Sequence, residues 1–402
     1  MDDPEAGLLY LTDPAFRRAE LAASLVNPGN GYARLRLASY GLAWEQLPVW
    51  SPRVEPVTTA DLGAVSFTDP LGPGARALAI DPAASAGDPA ALLRLGQEAF
   101  STYPVQLVDA APALASPAAA SFFGLVTDPA TGRVGALVHA EMADGSSRIA
   151  LTCASCHAGL RSGAVVLGAP SDTLDLGKLL VATGGVLPDL VGSTLAWGPG
   201  RIDVSSADAS EPARIPDVRP ARFLGYLQQD ATVRQLSIAS LAIRVETLII
   251  TSHAEDIRPP REVALGLAVA LWSLAESLPP LPVGPGAAGL AVLEGACSTC
   301  HARDTFTGTP VPLAIAGTDP TLGLSPERGT GRYRVPSLRG VGSRGPLLHD
   351  ASAPDLDTFF DPARVEAGYT SGRAGRPIPG HPFNLELSEE DRAAVLGTLR
   401  GL

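Results

Sequence analysis

The sequence predicts a mainly α-helical fold in which two consecutive units are each built around one copy of a short cysteine motif. Several segments carry apolar residues at helical spacing. The pattern Cys-x-x-Cys-His occurs twice, and a stiff proline-rich stretch precedes the second copy. We also expect one β-hairpin directly before the first motif.

Helical spacing is clearest in two apolar segments in the middle of the chain. Residues 232–250 and 261–278 each carry an apolar stripe, and Pro259-Pro260 precedes the second segment, as is common at a helix N-terminus. We attribute both stripes to core packing. Shorter helices are expected at 13–25, 90–100, 287–296 and 388–402.

The predicted hairpin spans residues 123–152. Apolar residues alternate with others along its first strand, and Ala143-Asp144-Gly145-Ser146 is typical of a turn. Residues 278–286 form the proline-rich linker. We therefore divide the chain into an N-terminal extension of unknown role (1–84), a first unit (85–283) and a second unit (284–402).

Composition excludes some classes of function. Among 402 residues, 30 Lys and Arg face 42 Asp and Glu, and the net charge is −12. An acidic chain of this kind is not expected to bind nucleic acid through a general basic surface. No apolar run is long enough for a membrane span, so none is expected.

The two motifs contain all four cysteines of the chain. Two thiols at this spacing can reach the two vinyl groups on one edge of a porphyrin, and the adjacent histidine can supply a nitrogen to the iron. The sequence therefore predicts two covalently bound c-type haems. The residues that would hold them are Cys153, Cys156 and His157 at the first site and Cys297, Cys300 and His301 at the second.

Three other interpretations compete with haem attachment. A single Cys-x-x-Cys could be a thioredoxin-like redox pair, but no βαβ unit surrounds either copy. Two cysteine pairs could hold zinc, but here the pairs lie far apart in sequence and each ends in histidine. Chance is improbable when the two motifs use every cysteine.

Haem attachment to this motif takes place outside the bacterial cytoplasm. The first residues, Met1-Asp2-Asp3-Pro4-Glu5, lack the basic and then apolar pattern of a signal peptide. We nevertheless expect a periplasmic or otherwise exported protein, because the haem motifs require it.

The sequence around the second motif has a recognisable pattern. It reads Leu-Ala-Val-Leu-Glu-Gly-Ala-Cys-Ser-Thr-Cys-His over 290–301, followed by Tyr-Arg-Val-Pro-Ser-Leu-Arg, Gly-Pro-Leu-Leu-His-Asp and Pro-Gly-His-Pro-Phe at 333–339, 345–350 and 379–383. This run resembles the C-terminal haem domain of the bacterial di-haem cytochrome c peroxidase superfamily, which includes rubber-cleaving oxygenases. The resemblance covers 285–402 well, 85–283 loosely and 1–84 hardly at all. It implies that the two units are cytochrome c-like haem domains.

The sixth ligand of the second iron must differ from that of the family's peroxidases, which use a downstream methionine. No methionine follows the second motif. Candidates are His381, His349 and Tyr369, and we favour His381 because Gly-His-Pro-Phe resembles the distal-histidine element of the rubber-oxygenase-like branch. His349 matches a family position that shapes the pocket without binding iron.

The first iron has no obvious sixth ligand, since neither His nor Met lies between His157 and His253. His253 is the main candidate, as a metal ligand or as a catalytic acid or base. His139, Met142 and an open or water-bound iron are the alternatives. Arg201 and Arg339 are candidates for pairing with haem propionates.

Two functions follow from this pattern. The first is a peroxidase- or oxygenase-type oxidoreductase, in which the first haem faces peroxide or oxygen and the second relays electrons. The alternative is an electron carrier with both irons six-coordinate. Either would take electrons from a small redox protein or a quinol-linked donor.

Overall fold

A computed structural model describes residues 3–63, 66, 68–108, 110–184, 186–203, 212–253 and 256–402. Within these ranges, 43% of the chain is helical and 13% is in strands that form several small sheets. The expectation of a mainly α fold made of two cytochrome c-like haem domains is therefore wrong, and the fold is mixed α and β. Most strands are two to five residues long and have no periodicity that the sequence could reveal.

Helices occur along the whole described chain, and most are short. The N-terminal part contains α1 (Pro4–Thr12), α2 (Pro14–Ser24), α3 (Gly31–Ser39), α4 (Pro82–Ser85), α5 (Pro89–Thr102), α6 (Ala111–Leu114) and α7 (Pro117–Phe122). The middle part contains α8 (Cys153–His157), α9 (Leu176–Ala182), α10 (Val191–Leu195), α11 (Ile238–Ser252) and α12 (Arg261–Ser273). The C-terminal part contains α13 (Leu290–Val292), α14 (Leu313–Ala316), α15 (Thr321–Leu324), α16 (Leu356–Phe360) and α17 (Glu389–Gly401).

The strands of the described chain form one four-stranded sheet and four two-stranded ribbons. The four-stranded sheet has the order β1 (Val54–Thr58), β3 (Arg133–Glu141), β4 (Ser147–Leu151) and β2 (Gln106–Leu107). The ribbons pair β5 (Ala158–Arg161) with β6 (Ala164–Leu167), β7 (Arg201–Ile202) with β8 (Ala213–Arg214), β9 (Tyr226–Leu227) with β10 (Val233–Arg234), and β11 (Val311–Pro312) with β12 (Arg332–Tyr333).

The predicted hairpin is present as the antiparallel pair β3–β4, with Val138 opposite Ala150. It is not isolated, because β1 pairs with the other edge of β3 and places Val54 opposite Ala140. Two-sided pairing explains why almost every residue of β3 is buried or half-buried.

The main core surrounds three helices, α5, α11 and α12. A Cβ at Gly96 of α5 would lie 1.8 Å from the carbonyl oxygen of Gly266 in α12, so these helices cross with their backbones almost in contact. Only glycine permits this approach. Both apolar segments predicted as core helices are buried here, although α11 begins at Ile238 and α12 ends at Ser273, nearer the centre of each segment than predicted.

The N-terminal extension belongs to the same core. Tyr10 of α1 and Tyr40, next to α3, each donate a hydroxyl hydrogen bond of 2.8 Å to Oε2 of Glu246 in α11. Arg261 lies 3.6 Å from the same carboxylate and 2.7 Å from Glu45. The buried glutamate is thus fully paired, as a charge in a core must be.

A separate hydrophobic cluster fills the C-terminal part of the chain and contains only residues from Leu290 onward, including Leu293, Phe306, Phe360 and Leu399. The closing helix α17 begins after Ser388, whose hydroxyl accepts a 3.1 Å hydrogen bond from the Asp391 amide, as its sequence predicts. None of the helices in the described ranges is both long and apolar enough to span a membrane.

Candidate haem sites

The first motif forms the short helix α8, which the hairpin holds in place. The hydroxyls of Thr152 and Ser155 both donate to the carbonyl oxygen of Ala136 in β3, at 2.9 and 3.2 Å. The Thr152 amide in turn donates to Ser155 Oγ at 3.0 Å. These bonds fix the turn that carries Cys153 and Cys156 to the neighbouring strand.

His157 is oriented by a backbone carbonyl. Its Nδ1 donates a 3.0 Å hydrogen bond to the carbonyl oxygen of Pro216. A carbonyl oxygen can only accept, so Nδ1 carries the proton and Nε2 keeps its lone pair for a metal. Desolvation lowers the pKa of His157 to about 4, and the imidazole is therefore neutral at neutral pH.

The second motif follows a π-helical turn, Leu293–Cys297, at the end of α13. Turns of this kind widen the helix and are common at functional sites. The amides of Cys300 and His301 both donate to the carbonyl oxygen of Cys297, at 3.1 and 2.8 Å. The motif is thereby closed into a compact turn.

His301 has the same support as His157. Its Nδ1 donates a 3.0 Å hydrogen bond to the carbonyl oxygen of Phe306, which leaves Nε2 for a metal. Burial lowers the pKa of His301 to about 4. The four cysteine thiols are all unpaired and half-buried, and desolvation raises the pKa of both Cys153 and Cys156 to about 12.

The imidazole rings of His381 and His301 are neighbours in the structure. The two ring centres lie 6.3 Å apart. A metal bonded to both Nε2 atoms would lie about 3 Å from each ring centre, because a metal–imidazole bond is about 2 Å long and the ring centre lies about 1 Å behind the nitrogen. The 6.3 Å between the ring centres is therefore compatible with one metal ion that both His301 and His381 would hold.

Asn384 and the buried Arg364 set the orientation of His381. Nδ1 of His381 lies 3.3 Å from Oδ1 of Asn384, whose Nδ2 donates to the carbonyl oxygen of Phe359 at 2.6 Å. This second bond fixes the amide, so Oδ1 faces the imidazole and Nδ1 must donate. Arg364 Nη2 donates to both Asn384 Oδ1 and the His381 carbonyl oxygen, at 3.2 and 2.8 Å.

The backbone at His381 is in the left-handed region, with φ of 58°. A residue other than glycine rarely adopts this conformation, and it costs about 1–2 kcal/mol. Pro382 begins a short 3₁₀ turn directly afterwards, and the His381 amide donates to the Ala316 carbonyl oxygen at 2.8 Å. A strained histidine held by three neighbouring segments is typical of a functional position.

The other candidates for the second iron have different neighbours. His349 stacks on Tyr333, with ring centres 4.3 Å apart, and its Nε2 lies 3.2 Å from the tyrosine hydroxyl. Tyr369 packs against the C-terminal hydrophobic cluster. Of His381, His349 and Tyr369, His381 is the one whose ring lies beside that of His301.

His253 does not share the arrangement of His157, His301 and His381, in each of which Nδ1 lies within hydrogen-bond distance of an oxygen. It is buried, with its ring 4.8 Å from Trp50, and its Nε2 lies 3.4 Å from the Pro104 carbonyl oxygen. No described residue contacts both His253 and His157 through a hydrogen bond or a ring. The catalytic or ligating role of His253 stays a prediction that these contacts do not support.

His139 and Met142, the alternative ligands for the first iron, are both buried. His139 is only 2% exposed, and its Nδ1 lies 3.1 Å from Glu55 Oε1 in β1. β1 pairs with this part of β3 and places Glu55 opposite His139. Met142 is buried in the main core.

Arg201 and Arg339 are engaged with backbone carbonyls. Arg201 donates to the Trp197 and Ala196 carbonyl oxygens, at 2.5 and 2.6 Å. Arg339 donates to the Pro279 carbonyl oxygen at 2.8 Å, and its guanidinium lies 5.5 Å from the Phe223 ring. Their proposed pairing with propionates stays a prediction.

The positioning residues at both sites escaped the sequence analysis. Pro216 and Phe306 act through their carbonyl oxygens, which no side-chain pattern can reveal. Asn384 and Arg364 are ordinary polar residues in a loop-rich segment. The position of Asn384, three residues after His381, is the one sequence signal that pointed to a partner for the imidazole.

The donor sets fit c-type haem better than a bare ion. Each site offers two thiols and one neutral imidazole whose Nδ1 is already used. Within the described part of the chain, no group of three or more His, Cys, Asp and Glu side chains is placed to hold a metal ion. A cavity of about 80 Å³ borders Ala154, Ser155 and Ala158, but His157 does not line it.

No family model, no curated protein and no solved structure matches this chain.

Proposed function

We propose that this chain is an exported di-haem c-type cytochrome that transfers electrons. The observation that carries the proposal is the matched support of His157 and His301, each in a Cys-x-x-Cys-His and each donating Nδ1 to a carbonyl oxygen at 3.0 Å. Axial histidines in metal proteins are held in this way. Bound haem would supply a one-electron iron couple at each site.

The two sites differ in what lies opposite the motif histidine. At the second site, the ring centre of His381 lies 6.3 Å from that of His301, and both imidazoles would hold the iron. At the first, no second imidazole ring contacts His157 among the described residues. This asymmetry favours an oxidoreductase of the peroxidase or oxygenase type, in which the first haem binds peroxide or oxygen and the second relays electrons.

In such a reaction, the protein would orient the histidine side chains that hold the two irons. Pro216 and Phe306 hold the two imidazoles in the tautomer that leaves Nε2 basic. Asn384 and Arg364 keep His381 opposite His301. Electrons would come from a small redox protein or a quinol-linked donor. The resemblance to the di-haem cytochrome c peroxidase superfamily stays a prediction.

The first test is covalent attachment. The protein, produced in a host that matures c-type cytochromes, should keep its haem stain after denaturation and have the mass of the polypeptide plus two haems. Haem that acid–acetone extracts would contradict the proposal.

The second test separates the enzyme from the carrier. Reduced wild-type protein should bind about one equivalent of carbon monoxide per chain, since an iron held by two histidines binds exogenous ligands poorly. If wild type binds none and His253→Ala binds one, His253 closes the first iron and the chain is a carrier.

A further inference from the structure

The N-terminal extension contacts one turn in the C-terminal part of the chain, residues 325–331. Four consecutive backbone carbonyl oxygens of this turn accept hydrogen bonds from segments that are distant in sequence. The Gly31 amide donates to Pro326 at 3.0 Å, and the Tyr32 amide donates to Glu327 at 2.7 Å. The turn is thereby held against the start of α3.

The other two carbonyl oxygens accept hydrogen bonds from side chains. Thr232 Oγ1 donates to the carbonyl oxygen of Arg328 at 2.8 Å. Nδ2 of Asn27 and Nδ2 of Asn30 both donate to the carbonyl oxygen of Gly329, at 2.8 and 3.3 Å. Arg328 and Gly329 are buried, where a carbonyl oxygen without a donor costs free energy. The extension therefore supplies the partners of three of these four carbonyl oxygens.

Both asparagine side chains are fixed by a second hydrogen bond. Asn27 Oδ1 accepts from the Gly29 amide at 3.0 Å, and Asn30 Oδ1 caps α3 by accepting from the Ala33 amide at 2.9 Å. An amide side chain whose oxygen is fixed in this way has its nitrogen fixed as well. Both Nδ2 groups are therefore aimed at Gly329.

The segment that carries the two asparagines is anchored in the main core. Leu25 and Ala33, on either side of it, belong to the hydrophobic cluster that also contains Ala154 of the first motif. The Val26 amide donates to the carbonyl oxygen of Thr232 at 3.1 Å. The extension thus joins the core around the first motif to the 325–331 turn.

This turn is connected to His381 through α14. The Leu313 amide, at the start of α14, donates to the carbonyl oxygen of Gly331 at 3.3 Å. At the end of this four-residue helix, the carbonyl oxygen of Ala316 accepts from the His381 amide at 2.8 Å. Hydrogen bonds therefore link the turn, α14 and the backbone of His381 in series.

His381 needs such support because its φ of 58° lies in the left-handed region. A residue other than glycine keeps this conformation when the surrounding structure imposes it, and relaxes when that support is lost. A change in φ turns the side chain with the backbone. Loss of the bond to Ala316 would therefore change the direction of the imidazole.

We infer that Asn27 and Asn30 are positioning residues for His381. By holding the turn, they keep the carbonyl oxygen of Ala316 in the place from which it fixes the strained backbone of His381 beside His301. The N-terminal extension thereby keeps the second iron closed to outside ligands. The inference rests on the proposed function, in which His381 binds that iron.

The experiment is a cyanide titration of the oxidised holoprotein at neutral pH, followed by absorption. The double variant Asn27→Asp/Asn30→Asp keeps both Oδ1 acceptors, including the cap of α3, but loses both donors to Gly329. His381 should then leave the iron more often. The cyanide concentration that half-saturates the second iron should fall roughly tenfold, as expected for the loss of two hydrogen bonds that favour the closed state. His381→Gly identifies the absorption change of the second iron.

Tyr40→Phe is the matched control. Tyr40 belongs to the same extension and is 2% exposed, but its hydroxyl donates to Glu246 at 2.8 Å. This variant should unfold more easily while the second iron keeps the half-saturating cyanide concentration of wild type. Asn27→Asp alone should lower that concentration by a smaller factor, and it supplies the test if the double variant does not fold.

Each possible failure has a different meaning. Equal half-saturating concentrations in wild type and the folded aspartate variants, with two haems attached by mass, would overturn the inference and leave the proposed function intact. An equal fall in Tyr40→Phe would also overturn it, because general loosening of the extension would then explain the effect. A wild-type protein without covalent haem would overturn the proposed function itself.

Discussion

Replacing His381 by glycine should open the second iron while leaving the fold intact. The substitution removes the imidazole that lies 6.3 Å from His301, measured between ring centres. Reduced His381→Gly should therefore bind about two equivalents of carbon monoxide per chain, against about one for wild type. Millimolar imidazole should enter the vacated space and restore the wild-type absorption spectrum.

The expected cost in stability is small, because two contributions oppose each other. The variant loses the contact with Asn384, worth about 1 kcal/mol, and the packing of the ring against Phe359 and Phe383. It gains about 1–2 kcal/mol, because glycine adopts a φ of 58° without strain. His381→Ala should show the same spectral change but unfold more easily than His381→Gly by about 1 kcal/mol, since alanine keeps the strain.

His349→Ala is the matched control for this experiment. His349 lies in the same part of the chain, but its imidazole stacks on Tyr333. Its removal should leave the carbon monoxide stoichiometry at the wild-type value. An unchanged spectrum in His381→Gly would refute the assignment of His381 as a ligand. So would wild-type protein that already binds two equivalents.

Three further predictions concern attachment, stability and pH. Replacing Cys297 and Cys300 together by alanine should reduce the mass of the mature protein by one haem while the first haem stays attached, which intact-protein mass spectrometry would reveal. Glu246→Leu should lower the free energy of unfolding by roughly 3–5 kcal/mol in urea titrations, because it leaves two buried tyrosine hydroxyls without their acceptor and removes one of the two carboxylate partners of the half-buried Arg261. An effect no larger than that of Glu141→Gln, in an exposed ion pair, would contradict this. Burial lowers the pKa of His253 to about 4, so the unfolded chain binds more protons than the folded protein between about pH 4 and 6.5, and the free energy of unfolding should rise with pH there. His253→Phe should reduce the slope of that rise by up to about 1.4 kcal/mol per pH unit. An identical slope in wild type and variant would disprove this.

Local sequence predicted the elements whose signal is local. The apolar stripes of α11 and α12 appear as core helices, and Ser388 caps α17. Turn residues and alternation located the β3–β4 hairpin. In each case the deciding contacts join residues close together in the chain, so spacing alone was informative.

The sequence did not predict the pairing between strands that are distant in the chain. The sheet that covers His139 requires Val54 to lie opposite Ala140, and two-residue strands such as β7 exist only because a partner strand is supplied from elsewhere. The mainly α expectation was wrong for this reason. The sequence of a short strand does not indicate which other strand it will pair with.

The amino-acid sequence by itself determined which residues we propose to attach haem, because Cys-x-x-Cys-His is a contiguous pattern whose chemistry depends on spacing. Only the tertiary structure decided which histidine ring lies beside His301 and which carbonyl oxygens orient the two motif imidazoles. Those relations join Phe306 to Leu338, and His381 to Arg364, across loops of irregular backbone. A hydrogen bond to a backbone oxygen depends on where the chain folds, and the identity of the side chain at that position does not reveal it.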